Sequence, residues 1–268
     1  MNIETLNLEI TRRCTLECEH CFRGDSQNSN ISEETLKNIF NNVKKIDRLV
    51  ITGGEPLIAV NELEKMIYYI TKYNVQIEQI NLVTNGTVFG SRILKILKDL
   101  STISKLNLFI SFNIFHLLEL ERKNLKQKRD ENVKVLKELF GAKEYGDEYE
   151  ERTFKPSYQS LQPIGRAKNI NQKRLAEINS MIPVKYKVLS EITWIGSKIK
   201  VKDNILTGDV CIDVNGNIVP YGLSFQDEDI YSSQFDVNIN DLTFAEAINN
   251  FNSNPSLKNN SKFSILNK

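Results

Sequence analysis

Two hydrophobic rhythms alternate along this chain. Leu6, Leu8 and Ile10 stand one apart among polar residues, which predicts a strand over Thr5–Ile10. After Ser32, an N-cap followed by Glu33 and Glu34, the spacing changes to i, i+3, i+4, i+7 at Leu36, Ile39, Phe40 and Val43, the apolar face of a helix. Arg48–Thr52 reads as a buried strand ending in Gly53-Gly54-Glu55-Pro56. Asn61 and Glu64 form a candidate capping box ahead of the stripe Leu63, Met66, Ile67 and Ile70. Gln79–Val83 is the next strand, ending in Thr84-Asn85-Gly86, and Ile93, Ile96, Leu97 and Leu100 repeat the stripe. Lys105–Ser111 is a further strand running into Asn113 and His116.

Four strand–loop–helix units in succession predict parallel βαβ packing with right-handed crossovers, the polar strand ends gathering on one rim. The pattern then loosens. Charges of both signs interleave from Glu119 to Glu131, as on a solvated helix face. Val133, Leu136 and Phe140 continue that helix and Gly141 suits its end. Tyr145–Phe154 is a fifth strand or an extended, mobile segment, and Tyr158–Pro163 a sixth strand leading into Gly165-Arg166-Ala167. Lys185–Leu189 and Ile199–Val201 have strand composition. Val210–Asp213 and Ile218–Pro220 flank Asn215-Gly216, a strong hairpin signal. Asp236–Phe251 enters a helix with Phe244, Ala247, Ile248 and Phe251 on one face, and the tail from Asn252 is expected to fray.

Length and composition narrow the class. The 268 residues suit one large domain, or one domain with a small appendage. Hydrophobic residues make up 40 % and charged residues 26 %, a globular balance. A net charge of +1 gives no footprint for nucleic acid. No apolar run reaches the ~18 residues of a membrane span. Met1-Asn2-Ile3-Glu4 carries neither part of a signal peptide, and closely spaced cysteines without an export signal predict a reducing cytoplasm.

The chemistry is concentrated in Cys14-Thr-Leu-Glu-Cys18-Glu-His-Cys21. A structural zinc site takes four ligands, usually as two close pairs, and Cys211, His20 and His116 do not supply the second pair. A disulfide framework wants an even, dense set of cysteines in a small secreted chain. A trio flanked by Arg13, Glu17 and Glu19 is a poor core segment for inert thiols. An iron–sulfur cube normally takes one thiolate per iron. A three-thiolate loop leaves one iron open, a place for a small molecule to chelate.

The C-x3-C-x2-C loop, followed by strand and Gly-Gly-Glu-Pro, resembles the radical S-adenosylmethionine (SAM) superfamily, most strongly in the first 115 residues. The resemblance implies a [4Fe–4S] cluster on Cys14, Cys18 and Cys21, SAM chelated to the open iron, and a 5′-deoxyadenosyl radical that takes a hydrogen atom from substrate. It places Gly53, Gly54, Glu55 and Pro56 against the SAM amino group and Asn85 on the rim. His20 corresponds to an aromatic position packed near adenine. Ser111 and Asn113 match a polar strand end contacting ribose and carboxylate, with local turn capping as the other reading. Arg166 lies in a segment similar to P-x-G-R-A and pairs with a carboxylate of SAM or in a surface salt bridge. His116 is read as a satisfied surface histidine, ahead of a rim or proton-relay role.

Cys211-Ile-Asp-Val-Asn-Gly-Asn-Ile-Val-Pro220 resembles the opening hairpin of a SPASM or Twitch extension. Tyr221 and Gly222 follow where cysteine is common, and no cysteine occurs after Cys211, so no auxiliary cluster is expected. Cys211 is then a buried structural thiol, a hydrogen-atom donor to a substrate radical, or an intersubunit ligand; Tyr221 is a weaker radical or hydrogen-bonding candidate. The expected fold is α/β, a partial (β/α)6 barrel over 1–180 with a small α+β cap over 181–268. The expected substrate is a ribosomally made peptide undergoing epimerisation or cross-linking, with a small molecule of cofactor biosynthesis or a non-catalytic iron–sulfur sensor or carrier as rivals. An electron donor such as flavodoxin or ferredoxin is implied; nucleic acid and membrane are not.

Overall fold

The computed structural model describes residues 1–146, 158–161, 165–182, 185–188, 199–202, 205–219 and 237–253. Its frame is a parallel sheet in which sequence order is spatial order. β1 (Asn2–Glu9), β2 (Lys45–Thr52), β3 (Gln76–Thr84), β4 (Lys105–Phe112) and β5 (Lys143–Gly146) lie side by side, each parallel to the last. Helices α1 (Glu33–Asn42), α2 (Val60–Lys72) and α3 (Ser91–Ile103) cross between the first four, and α4 (Ile114–Arg122) and α5 (Lys126–Phe140) precede the fifth. Singly wound order of this kind belongs to (β/α) barrels.

The strand register sorts side chains between two faces. Leu8, Ile51, Leu82 and Leu108 are aligned across β1–β4 and buried. With Leu36, Phe40, Leu63, Met66, Ile96 and Leu100 of the helices they form the main core. One residue earlier the aligned set is Asn7, Val50, Asn81 and Asn107 on the opposite face. A partly polar inner face under an apolar outer one is what alternation with a period of two requires of a barrel wall.

The C-terminal strands extend the same sheet. β9 (Ile205–Ile212) pairs parallel with β1, and β10 (Ile218–Val219) and β8 (Lys200–Lys202) pair antiparallel with β9. The eight-stranded sheet therefore draws residues from both sides of the expected boundary at 180/181. The predicted hairpin is present around Asn215-Gly216, and α7 (Phe244–Ser253) buries the four expected apolar residues. β6 (Tyr158–Leu161) and β7 (Lys185–Val188) form a separate parallel pair around α6 (Gln172–Met181). A second core joins Leu16 of the cysteine loop to Ile114, Phe115, Leu175, Ile178 and Tyr186.

Some local expectations are corrected. The Asn61/Glu64 capping box does not form, because a 3-10 turn over Pro56–Ile58 leads directly into α2. Asn61 and Glu64 instead accept from Arg92 at 2.7 and 2.9 Å. The single charged helix is two helices, broken where Asn124 takes φ 53° and Leu125 N–H returns to Leu120 O. Nor is that stretch wholly solvated: Glu119 and Arg129 are buried among partners. Most of Tyr145–Phe154, Pro163, Pro220 and the tail from 254 lie outside the described residues.

Candidate active site

The cysteine loop leaves the C-terminal end of β1 and returns at Asn30, which bridges Thr11. Few of its residues are apolar, so its shape is held through backbone polar groups, which must find partners when buried. The end of β2 supplies the first clamp. Gly54 N–H donates to Thr11 O at 2.8 Å and Glu55 N–H to Arg13 O at 2.7 Å. The approach leaves no room for side chains: a Cβ on Gly53 would stand 2.5 Å from Thr11 O, and one on Gly54 would fall on the Arg13 carbonyl. The glycine pair is thus required by the cysteine loop itself.

A second clamp comes from the 3-10 turn Gly165–Asn169. Arg166 donates from its N–H to Cys21 O (2.9 Å) and from Nε to Cys18 O (3.0 Å), and Gly165 at φ 54° runs against the Phe22 backbone. From α4, Glu119 accepts Glu17 N–H at 2.9 Å and Lys123 Nζ donates to Thr15 O at 3.0 Å. Arg174 of α6 holds Glu19 at 2.6 Å. The C-terminal hairpin contributes Asp213, which accepts from Arg12 Nη2 at 3.3 Å. Arg12 also bonds Glu9, whose other oxygen takes Arg23.

These clamps surround a cavity of about 520 Å³. It brings together Cys14, Cys18, Cys21, His20, Gly53, Gly54, Asn85, Ser111, Asn113, Arg166 and Cys211. Glu55 and Pro56 are not among its walls. The Glu55 carboxylate is fully buried and accepts from Leu57 N–H (3.0 Å), Thr84 Oγ1 (2.7 Å) and Asn85 N–H (2.7 Å), tying the end of β2 to the end of β3. Burial outweighs these bonds and pushes its carboxyl up to about 7. Tyr221 lies outside the described residues.

Asn113 caps α4 through His116 N–H at 3.1 Å, the local reading, and also lines the cavity. Its Nδ2 meets His20 Nε2 at 3.0 Å, and His20 stacks on Phe115 with centroids 4.6 Å apart. His116 is not a surface histidine. It faces the cavity beside His20, its ring bonded to Asn113 Oδ1 at 2.7 Å, and burial lowers its pKa to about 4. Arg166 has a third partner in Asp25, at 3.4 Å. Reasoning from sequence missed Glu9, Arg12, Arg23 and Asp213: the Arg12–Asp213 contact spans 201 positions, and the pairs of Arg12 and Arg23 with Glu9 form where the loop folds back on the end of β1.

The thiols fit a cluster better than a single ion. Cys14, Cys18 and Cys21 are all free. Burial raises Cys14 to about 11 and Cys18 further, each with a contribution from the neighbouring thiols. Buried thiols with such values become thiolates only beside a compensating cation. Among the described residues no three His, Cys, Asp or Glu side chains converge on one metal ion. Sulfurs around one zinc stand within about 4 Å of each other, whereas a cube takes one thiolate on each of several irons.

Comparison with known proteins agrees. Residues 8–144 match the family model described as Radical SAM superfamily. Among curated proteins, Uncharacterized protein MJ0907 of Methanocaldococcus jannaschii is 31 % identical over 99 residues, 35 % of either chain. A GTP 3',8-cyclase of Clostridium perfringens is 33 % identical over 98 residues, 34 % of this chain and 30 % of that protein. The match thus spans about a third of these relatives' length. Among solved structures, Streptococcus suis SuiB bound to its precursor peptide SuiA aligns with TM-score 0.53 and 11 % identity over 96 % of this chain and 66 % of that one. The anSMEcpe structure with bound AdoMet and Cp18Cys peptide aligns with TM-score 0.50 and 18 % identity over 97 % and 82 %. At such identities the likeness concerns the fold. With the family model covering half the chain and its three-cysteine loop opening a parallel barrel, the protein belongs to the radical SAM superfamily.

Proposed function

We propose that this radical SAM enzyme abstracts hydrogen from a carbon of a ribosomally made peptide, and that Cys211 returns a hydrogen atom to that carbon, giving epimerisation. Cys14, Cys18 and Cys21 would hold the cluster, and Gly53, Gly54, Ser111, Asn113, His20 and Arg166 would shape the SAM site around it. When bound, cluster and SAM supply a primary-carbon radical able to remove hydrogen from carbon. The observation that carries the reading is Cys211. It is the register partner of Asn7 on the inner face, lines the same cavity as the three loop cysteines, and is held as a neutral thiol because burial pushes it up to about 12. A hydrogen-atom donor must be S–H rather than thiolate. In the return step the Cys211 S–H bond breaks and a C–H bond forms on the substrate. The thiyl left behind takes one electron from a flavodoxin- or ferredoxin-type donor and a proton from solvent.

A nucleotide substrate, as in the GTP 3',8-cyclase relatives, finds less support. A triphosphate wants unpaired cations. Among the described wall residues Arg12 and Arg23 share Glu9, and Arg166 holds Asp25. We read residues 1–180 as the radical SAM barrel and 181–268 as a SPASM/Twitch-like extension joined to it through the β1–β9 pairing and without its own cluster, since Cys211 is the single cysteine after Cys21.

The test is anaerobic turnover in D2O with peptides encoded beside the gene. Cys211 exchanges S–H for S–D, so the epimerised residue should gain one deuterium. Cys211→Ala should still form 5′-deoxyadenosine but leave no epimer. Product formed from GTP and not from any peptide would reject the reading.

A further inference from the structure

Asn85 follows the end of β3, where it meets the cysteine loop, and is 6 % exposed. Its amide orientation is fixed by chemistry. Thr87 N–H, which can only donate, reaches Asn85 Oδ1 at 2.9 Å, so that atom is the oxygen and the other is the NH2 group. Thr87 Oγ1 donates to the same oxygen at 2.6 Å. With its proton so used, Thr87 Oγ1 accepts from Thr15 Oγ1 at 2.6 Å, and Thr15 Oγ1 in turn accepts from Asn85 Nδ2 at 3.1 Å. The ring of three side chains closes in one sense and consumes one of the two amide protons. The second points to Cys14 Sγ, 3.7 Å away, which also receives Leu16 N–H at 3.4 Å. The Asn85 backbone is fixed from behind by the buried Glu55 carboxylate.

We propose that Asn85 is a positioning residue that raises the reduction potential of the cluster by donating a hydrogen bond to the Cys14 sulfur, and that the Glu55 carboxylate acts through it. The inference rests on the reading that Cys14, Cys18 and Cys21 hold the cluster. A donor at a ligand sulfur draws electron density from the iron and favours the more negative, reduced state. Burial keeps water from replacing it. Glu55, carried in a Gly-Gly-Glu-Pro motif whose resemblance points to SAM, here braces the donor to the first cysteine.

The experiment is an EPR-monitored redox titration of reconstituted holoenzyme, comparing wild type with Asn85→Leu and Thr15→Val, iron being counted in each. Leu is close to Asn in shape and lacks the donor. Thr15→Val opens the ring but leaves the Thr87 lock and the bond to Cys14. Asn85→Leu should titrate at a more negative midpoint, so that it is well under half reduced at the wild-type midpoint, while Thr15→Val stays with wild type. An unmoved Asn85→Leu midpoint, or equal shifts in both variants, would overturn the proposal. Wild-type protein that takes up no cluster would instead overturn the three-cysteine reading beneath it. Should Asn85→Leu fail to keep its iron, wild type labelled with side-chain 15N-asparagine decides. A nitrogen hyperfine coupling to the reduced cluster supports the bond, and its absence rejects it.

Discussion

Replacing Gly54 by alanine adds a single methyl group, yet the structure gives it nowhere to go. Its Cβ would sit on the Arg13 carbonyl, 2.8 Å from the Arg13 carbon and 3.0 Å from Arg12 O. All three atoms are backbone, so no side chain can rotate away. Either β2 or the cysteine loop must shift, and the shift breaks the two bonds from Gly54 and Glu55 to the loop. Overpacking costs about 1–3 kcal/mol and each lost backbone bond about 1 kcal/mol, together about 3–5 kcal/mol of the roughly 5–15 kcal/mol that holds a domain folded. With a urea slope of about 3 kcal/mol per molar, the midpoint should fall by about 1–1.7 M. The control is Gly90→Ala, at a helix N-cap where an added Cβ meets nothing within 4 Å, and its midpoint should stay within a few tenths of a molar. Iron uptake should follow the same order, because the shift displaces the segment next to Cys14. A Gly54→Ala protein as stable as Gly90→Ala, with full iron, would show that the β2 end does not clamp the loop.

Wild-type protein should bind about four irons per chain, and alanine at Cys14, Cys18 or Cys21 should bring the count well below that; about eight irons in wild type would reveal a second cluster. Asp213→Ala removes the partner of Arg12 and the acceptor of Asn215 and Asn217 N–H, and should cost about 2–4 kcal/mol in urea unfolding. Glu55 has its folded pKa raised from 4.5 to about 7, so between these values the folded chain keeps a proton that the unfolded chain releases. Its contribution is full below pH 4.5, is lost as pH rises to about 7, and is constant above; Glu55→Gln apoprotein should lack this fall of about 3 kcal/mol, and parallel pH profiles would refute the assignment.

What the sequence discloses of this fold is what short-range periodicity can carry. The stripes at Leu36–Val43 and Ile93–Leu100, the Ser32 cap, the Asn215-Gly216 turn and the apolar face of Phe244–Phe251 depend on neighbours within one or two turns, and all are present. The cysteine trio was legible in its spacing, and Gly53, Gly54, Asn85, Ser111, Asn113 and Arg166 through the family resemblance that trio opens. Polar groups whose partners lie far away were not. Glu119 and Arg129 read as solvent charges because their partners, Glu17 N–H and the Phe112 ring with Glu144, sit on other elements. Asn61 and Glu64 have capping spacing, but Arg92 on α3 takes both. His116 looked like a surface residue because nothing beside it in sequence shows that α4 begins at the rim. The β9–β1 pairing, which puts Cys211 on the inner face, joins segments 200 residues apart and has no local signature.

The same distance explains how the cluster loop is built. A segment of some twenty residues without regular structure is unusual in a compact domain and is normally functional. This one buries little of its own apart from Leu16 and Cys18, so it cannot hold three thiols in place unaided. Order is lent to it by β2 at Gly54, α4 at Glu119 and Lys123, the turn at Arg166, α6 at Arg174 and the hairpin at Asp213. The last three lie 148, 155 and 201 positions from the loop residues they hold, Cys18, Glu19 and Arg12. Fixing the loop therefore requires most of the chain to be folded, and the three cysteines, of which Cys14 and Cys18 are costly to ionise while buried and without a cation, are presented together only at that stage. Cluster insertion should accordingly stabilise the distant hairpin as well as the loop, since a ligand that binds only the folded arrangement shifts every equilibrium on which that arrangement depends. Hydrogen exchange at Val214 and Asn217 should then slow on reconstitution, although their amides bond to Glu9 and Asp213 and not to the cysteine loop. Exchange at these amides that ignores the iron would mean the Arg12–Asp213 contact does not couple the hairpin to the site.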